Sequence, residues 1–187
     1  MPSFEKTPEF WLSFLHELDG KATEETRLDC MGGFAVTQRY GLLRETVDLD
    51  VLVIAPTEQR NPLLEFGRRG GELHRKFGVY LDFVGVAKVP EEYESRLTEV
   101  FPKTFKFLRL LVLDPYDLAL SKLERNIERD RSDVQHLARS VPLDLEVLKN
   151  RYEVEMRWQM GNPEREDQTL RLWIEMISEE RTSSGEG

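Results

Sequence analysis

The chain has 187 residues, of which 40% are hydrophobic and 33% charged, with a formal net charge of −9. That charged share exceeds the ordinary ~25% and suits a water-exposed protein with long charged helices. The acid balance argues against a general nucleic-acid binder, whose surface is basic, but it leaves room for a local basic patch. No apolar run approaches the ~20 residues that cross a bilayer, so no membrane association is expected. The opening MPSFEKTPEF lacks a basic segment followed by an apolar one, so no signal peptide is expected. The single Cys30 cannot form an intrachain disulfide, and a reducing cytoplasm is the natural location. His16, His74 and His136 are scattered and have no cysteine partners, which speaks against zinc.

In chain order, Thr7 and Pro8 read as N-cap and first helical position. Phe10, Trp11, Phe14, Leu15 and Leu18 then recur at helical spacing until Gly20, an aromatic stripe that reads as packing. Leu28 to Met31 form a short first strand that ends in the pair Gly32–Gly33. Phe34 to Tyr40 continue as a helix. A loop with Arg44 and Thr46 leads to a second strand, Val47 to Ile54, closed by Pro56.

Residues 57 to 77 are helical in pattern, broken at Gly70–Gly71. Arg68, Arg69, His74, Arg75 and Lys76 make this part basic. It reads first as a solvated helix face, with an RNA patch as the alternative. The stretch after Gly78 alternates like a strand and places an acid, Asp82, in an apolar run. A lone buried carboxylate is costly unless it is paired or metal-bound. Pro90 to Phe101 reads as a surface helix and Leu108 to Leu113 as a strand. Asp114, Pro115 and Asp117 mark a helix start. The helix is expected to run on through Lys122, Arg125 and Arg129, which then share a face, with Leu118, Leu120, Leu123 and Ile127 on other faces. Asp144 to Met160 and a segment from Asn162–Pro163 onward read as two further helices, and RTSSGEG as a disordered tail.

The chemistry concentrates in residues 31 to 54. Glycine gives the strand-to-helix turn its freedom, and free N–H groups at the helix start can face a phosphate. Asp48 and Asp50 lie two apart on a strand, so both side chains share one face while Leu49 turns inward. Two neighbouring carboxylates repel unless a cation or proton lies between them, and hard oxygen ligands of this kind suit Mg²⁺.

The ordered set, G-G, a helix, R-x-T-x-D-x-D and an aliphatic strand, resembles the signature of the nucleotidyltransferase superfamily, the DNA polymerase β-like fold. It is similar in particular to small bacterial members that include toxins of type IV toxin–antitoxin pairs. DPYDLALSKLERNIERDRSDVQHL extends the likeness to about residue 140, with Lys122, Arg129, Asp130, Asp133 and Leu137 at the matching positions. The resemblance implies an α+β fold with a mixed sheet flanked by helices. Residues 1–140 would be the nucleotidyltransferase-like domain, 141–180 a helical extension and 181–187 the tail.

By the same resemblance Asp48, Asp50 and Asp82 would be catalytic and hold Mg²⁺. Gly32, Gly33, Lys122, Arg125 and Arg129 would meet the nucleotide's phosphates. Arg44 and Thr46 would brace the carboxylates or touch the nucleotide, with loop capping as an equal alternative. Lys122 would contact the phosphates directly, while Asp130 and Asp133 would fix the next helix or orient the basic residues. For Arg125 an ion-paired surface role stands beside the phosphate role. The implied reaction moves a nucleoside monophosphate from an NTP to a hydroxyl of RNA, protein or a small molecule, with an antitoxin protein as a partner in the toxin setting. The rival is a binding or regulatory module that keeps the fold and has lost catalysis.

Overall fold

The computed structural model describes residues 7–185. The chain forms two compact units that meet in sequence at Leu113–Asp114. The first comprises the described residues up to Ala87 together with Arg96–Leu113, and the second Lys88–Ser95 with everything from Asp114 onward.

The first unit holds one five-stranded mixed sheet with helices packed on it. Its elements are α1 (Glu9–Asp19), β1 (Thr26–Met31), α2 (Gly32–Tyr40), β2 (Asp48–Ala55), α3 (Arg60–Gly67), α4 (Glu72–Phe77), β3 (Tyr80–Phe83), β4 (Thr98–Val100) and β5 (Leu108–Val112). The strand order is β3-β2-β1-β5-β4. β2 runs antiparallel to β1, β3 lies parallel to β2, β5 parallel to β1, and β4 antiparallel to β5. The fold is thus α+β, with helices added after the sheet.

The α1 stripe packs as its periodicity predicts. Trp11, Phe14, Leu15 and Leu18 are buried, and the Trp11 ring meets Phe34 of α2 edge-on at 4.9 Å between centroids. Each such side chain contributes about 1.5–3 kcal/mol by leaving water. Thr7 does not cap α1. Pro8 occupies the cap position without a side-chain bond, and the Thr7 hydroxyl donates instead to Gln38 Oε1 at 2.7 Å. At the other end of α1, Asp19 accepts the backbone amides of Lys106, Phe107 and Leu108 at 3.0, 2.8 and 2.8 Å. A buried carboxylate satisfied by three amides is strongly held, and it fixes the start of β5 beside β1.

The segment expected as a helix over Pro90 to Phe101 is mostly not one. A short 3₁₀ turn at Tyr93–Arg96 precedes β4. Val100 there is buried and pairs with Leu110, so one inward apolar residue on an edge strand outweighs the polar helix-like pattern.

The second unit contains α5 (Pro115–Leu120), α6 (Glu128–Ser140), α7 (Leu145–Arg151) and α8 (Pro163–Gly185). Asp114 caps α5 by accepting the Asp117 amide at 2.8 Å, and Arg151 bonds both Asp114 (2.7 Å) and Asp117 (3.0 Å). The helix expected to run unbroken from Pro115 past Arg129 stops at Leu120 and restarts at Glu128. Asn126 between them has a positive φ of 45°, and its side-chain oxygen accepts the Trp173 indole N–H at 3.1 Å. Asp130 then restarts the helix by accepting the Ile127 amide at 3.2 Å. Lys122, Arg125 and Arg129 therefore do not form a stripe along one helix, and Ile127 is exposed.

The helix expected over Asp144 to Met160 begins at its predicted cap, where Asp144 accepts the amides of Glu146 and Val147. It then widens into a π-helical stretch, Tyr152–Met156, in which the Arg157 amide reaches the Tyr152 carbonyl. Residues five apart align in such a stretch. Tyr152 and Arg157 accordingly both bind Asp167, at 2.8 and 2.9 Å. α8 continues to Gly185, into the stretch read from sequence as disordered. Among the described residues no helix is long and apolar enough to cross a membrane.

Candidate functional site

Alternation on β2 sends Leu49 and Val51 fully into the core and leaves Asp48 and Asp50 half-buried on the opposite face. β3 repeats the pattern, with Leu81 inward and Tyr80 and Asp82 outward. The two strands are parallel, with Asp48 paired to Tyr80 and Asp50 to Asp82. Adjacent strands lie ~4.8 Å apart and paired residues project to the same side. Asp48, Asp50, Asp82 and Tyr80 therefore occupy one patch of one sheet face.

On the other side of β2, Asp50 pairs with Met31, the last residue of β1. There the chain turns into α2 through Gly32, whose φ is +67°. A Cβ on residue 32 would lie 1.9 Å from Asp50 Oδ2. Only glycine fits, for conformation and for space, so the Asp50 carboxylate reaches the backbone at the start of α2. Its negative charge there is favoured by the helix dipole.

Thr46 is buried, and its hydroxyl donates to Asp48 Oδ1 at 3.1 Å. This bond fixes the orientation of one carboxylate. Arg44 is half-buried in the same loop. Gly33 lies buried in the first turn of α2.

The charges act together. Burial raises the Tyr80 hydroxyl above its ordinary pKa; Asp48 and, more weakly, Asp82 and Asp50 raise it further, while Arg69 opposes them. Cys30 is pushed well up by burial first, then by Asp29 and Asp50, and is an inert thiol. Among the described residues, neither Asp48 nor Asp82 meets a lysine or arginine within ion-pair distance. Nor do three His, Cys, Asp or Glu side chains gather closely enough there to cage a metal. The Asp48–Asp82 side of the carboxylate set thus has no cation against it among the described residues. It fits an ion such as Mg²⁺, which takes one or two carboxylates and fills its remaining positions with water and phosphate oxygens.

The cationic residues assigned by resemblance lie in the second unit and are differently engaged. Lys122 is buried, 2.8 Å from Asp133 and 3.8 Å from Asp130. Arg125 grips Asp130 with two nitrogens, at 2.8 and 2.5 Å. Burial pushes Asp130 upward, but the bonds from Arg125 and Ile127 and the charge of Lys122 outweigh it and hold the carboxyl below its ordinary value. A phosphate contact by Lys122 would require the ammonium to leave Asp133. Arg129 lies exposed in the first turn of α6.

Two parts of the site were not read from sequence. One is Tyr80, whose signal was its i, i+2 spacing to Asp82. The other is the Gly32–Asp50 approach, which no sequence pattern encodes.

A family model described as "Nucleotidyltransferase of unknown function (DUF6036)" matches residues 13–181. No curated protein and no solved structure matches the chain. The match takes in both compact units, the glycine turn and all three carboxylates, and the chain belongs to this nucleotidyltransferase family.

Proposed function

We propose that the protein transfers a nucleoside monophosphate from an NTP to an acceptor hydroxyl, with Mg²⁺ held by Asp48 and Asp50 and supported by Asp82. The observation that carries this reading is the pairing of Asp50 with Asp82 beside a glycine that leaves room for the carboxylate. Membership in a nucleotidyltransferase family supports the reaction class.

Each residue then has a task. Thr46 holds Asp48 in one orientation, so that carboxylate needs no reorganisation when substrate arrives. The first amides of α2, at Gly32 and Gly33, face the triphosphate. The acceptor oxygen attacks the α-phosphorus, the bond to pyrophosphate breaks, and the acceptor's proton passes to Asp82. Mg²⁺, when bound, neutralises charge on the phosphates and lowers the pKa of the acceptor hydroxyl. The resemblance to type IV toxins supports a cytoplasmic toxin–antitoxin setting, with RNA or protein as acceptor and an antitoxin protein as partner.

The test is incubation with each α-labelled NTP, Mg²⁺ and a cell extract, followed by separation of RNA, protein and small molecules. Label should move with the wild type and not with the Asp48→Asn/Asp50→Asn double variant. Transfer by the double variant would overturn the metal-binding role. Absence of transfer with every NTP, together with a rise in Tm on adding NTP and Mg²⁺, would point to a binding module.

A further inference from the structure

The basic segment between α3 and β3 is not absorbed by the transfer reaction, and the fold sets it beside the carboxylates. Tyr80 pairs with Asp48 and shares its sheet face. The Arg69 guanidinium lies 5.8 Å from the Tyr80 ring centroid, within cation–π reach. The His74 ring meets Tyr80 edge-on at 5.2 Å, and His74 Nδ1 is occupied by the Gly70 amide at 3.0 Å. Arg75 is spent on the Gly70 carbonyl and Lys76 on Glu17. Arg68 and Arg69 are exposed and, among the described residues, meet no carboxylate within ion-pair distance.

This arrangement is unusual for an acidic chain. Asp48 and Asp82 on the sheet face and the exposed Arg68 and Arg69 form no ion pair with one another among the described residues. β3 is the outermost strand on this side of the sheet, so Tyr80 has no further strand beyond it. A half-exposed aromatic ring with an exposed arginine beside it, Arg69, and a second next to that one in the chain, Arg68, suits a single-stranded polynucleotide, whose bases stack on aromatic rings and whose phosphates take cations. More than one exposed cation suits a ligand with successive phosphates, as along a polynucleotide backbone.

We propose that Tyr80, Arg69 and Arg68 form the acceptor subsite, binding the single-stranded end of an RNA so that its terminal hydroxyl lies over Asp48, Asp50 and Asp82. This rests on the transferase reading for the fate of the hydroxyl, but not for the binding itself.

The experiment measures anisotropy of a labelled single-stranded RNA of about ten nucleotides with the full chain, across a salt series. The wild type should bind. Arg68→Ala/Arg69→Ala should weaken binding about tenfold or more and flatten the log–log salt slope by about 1.4, ~0.7 for each phosphate no longer neutralised. Tyr80→Ala should weaken it roughly 5- to 100-fold, the range expected for one stacked base, while Tyr80→Phe keeps the ring and should bind nearly as the wild type does. Melting curves for both Tyr80 variants separate stacking from folding. RNA binding kept by Asp48→Asn/Asp50→Asn, with transfer lost, supports the subsite and the transferase reading together. RNA binding of the expected pattern without transfer by any form supports the subsite and sinks the transferase reading alone. Failure of the wild type to bind RNA, or wild-type affinity in both the arginine and Tyr80→Ala variants, overturns the proposal. So does an equal loss of NTP affinity, which would assign the subsite to the donor, or labelling of a protein acceptor that depends on Tyr80.

Discussion

Acidic residues serve opposite ends in the two units. In the first, Asp48 and Asp82 lie on an accessible sheet face with no basic partner in reach among the described residues. In the second, Asp130 and Asp133 are buried and locked to Arg125 and Lys122, and Asp114 and Asp117 to Arg151. Carboxylates left open keep their charge for a ligand, whereas buried and matched ones hold structure together. The same residue type is thus left accessible in one place and serves as a fastener in the other.

The contrast can be broken most sharply at the open set. Asp48→Asn/Asp50→Asn should cut transfer by about 10³-fold or more with little change in Tm, since the mutual repulsion it removes is set against the loss of the dipole's hold on Asp50. A comparable free energy should appear as instability, not inactivity, in the matched set. Asp133→Ala leaves the buried Lys122 ammonium with only the longer Asp130 contact and should cost about 3 kcal/mol in thermal or urea unfolding. Lys122→Met takes the ammonium away from the buried Asp133 and should cost a comparable amount if its role is structural. Loss of transfer in a Lys122→Met protein of normal Tm would instead restore the phosphate role.

Gly32→Ala comes next. Its Cβ would collide with Asp50 Oδ2 and its φ is strained, so about 1–2 kcal/mol of stability should go together with most of the activity. Thr46→Val removes the bond that orients Asp48 and should cost about 1 kcal/mol, seen as a roughly fivefold fall in kcat with little change in KM for NTP.

The smallest effect is on pH. Asp130 has its folded pKa below the ordinary ~3.9 of an unfolded chain. Its contribution is therefore present above that value and is lost as pH falls through the lower folded one. Unfolding followed from about pH 6 to about pH 3 should show this loss in the wild type and a shallower slope in Asp130→Asn.

Periodicity revealed what alternation and capping control directly. The Asp48–Asp50 face, the inward Leu49, the Asp114 and Asp144 caps and the buried α1 stripe all follow from rules that act over a few residues. The ordered motif likewise carried the reaction class. What stayed hidden depends on contacts between distant parts of the chain. Nothing local announces that Asn126 will hold Trp173 and split a helix, or that Val100 will draw a polar segment onto the edge of β5. The resemblance placed Lys122 by position in a motif, but the ion pair with Asp133 appears only when α6 folds back across the turn.

The triple amide clasp of Asp19 has a further consequence for how the protein is made. It joins positions up to 89 apart in the chain, and β5 is the neighbour of β1 on the side away from β2. A chain emerging from the ribosome can assemble β1, β2 and β3 early, but one flank of β1 stays bare until Val112 has been synthesised. In that interval the nascent sheet exposes an unpaired edge of Leu28, Cys30 and Met31, a template for pairing with another chain. Asp19→Ala would lengthen the interval by loosening the closing strand, and its first symptom in cells would be aggregated product at high translation rates.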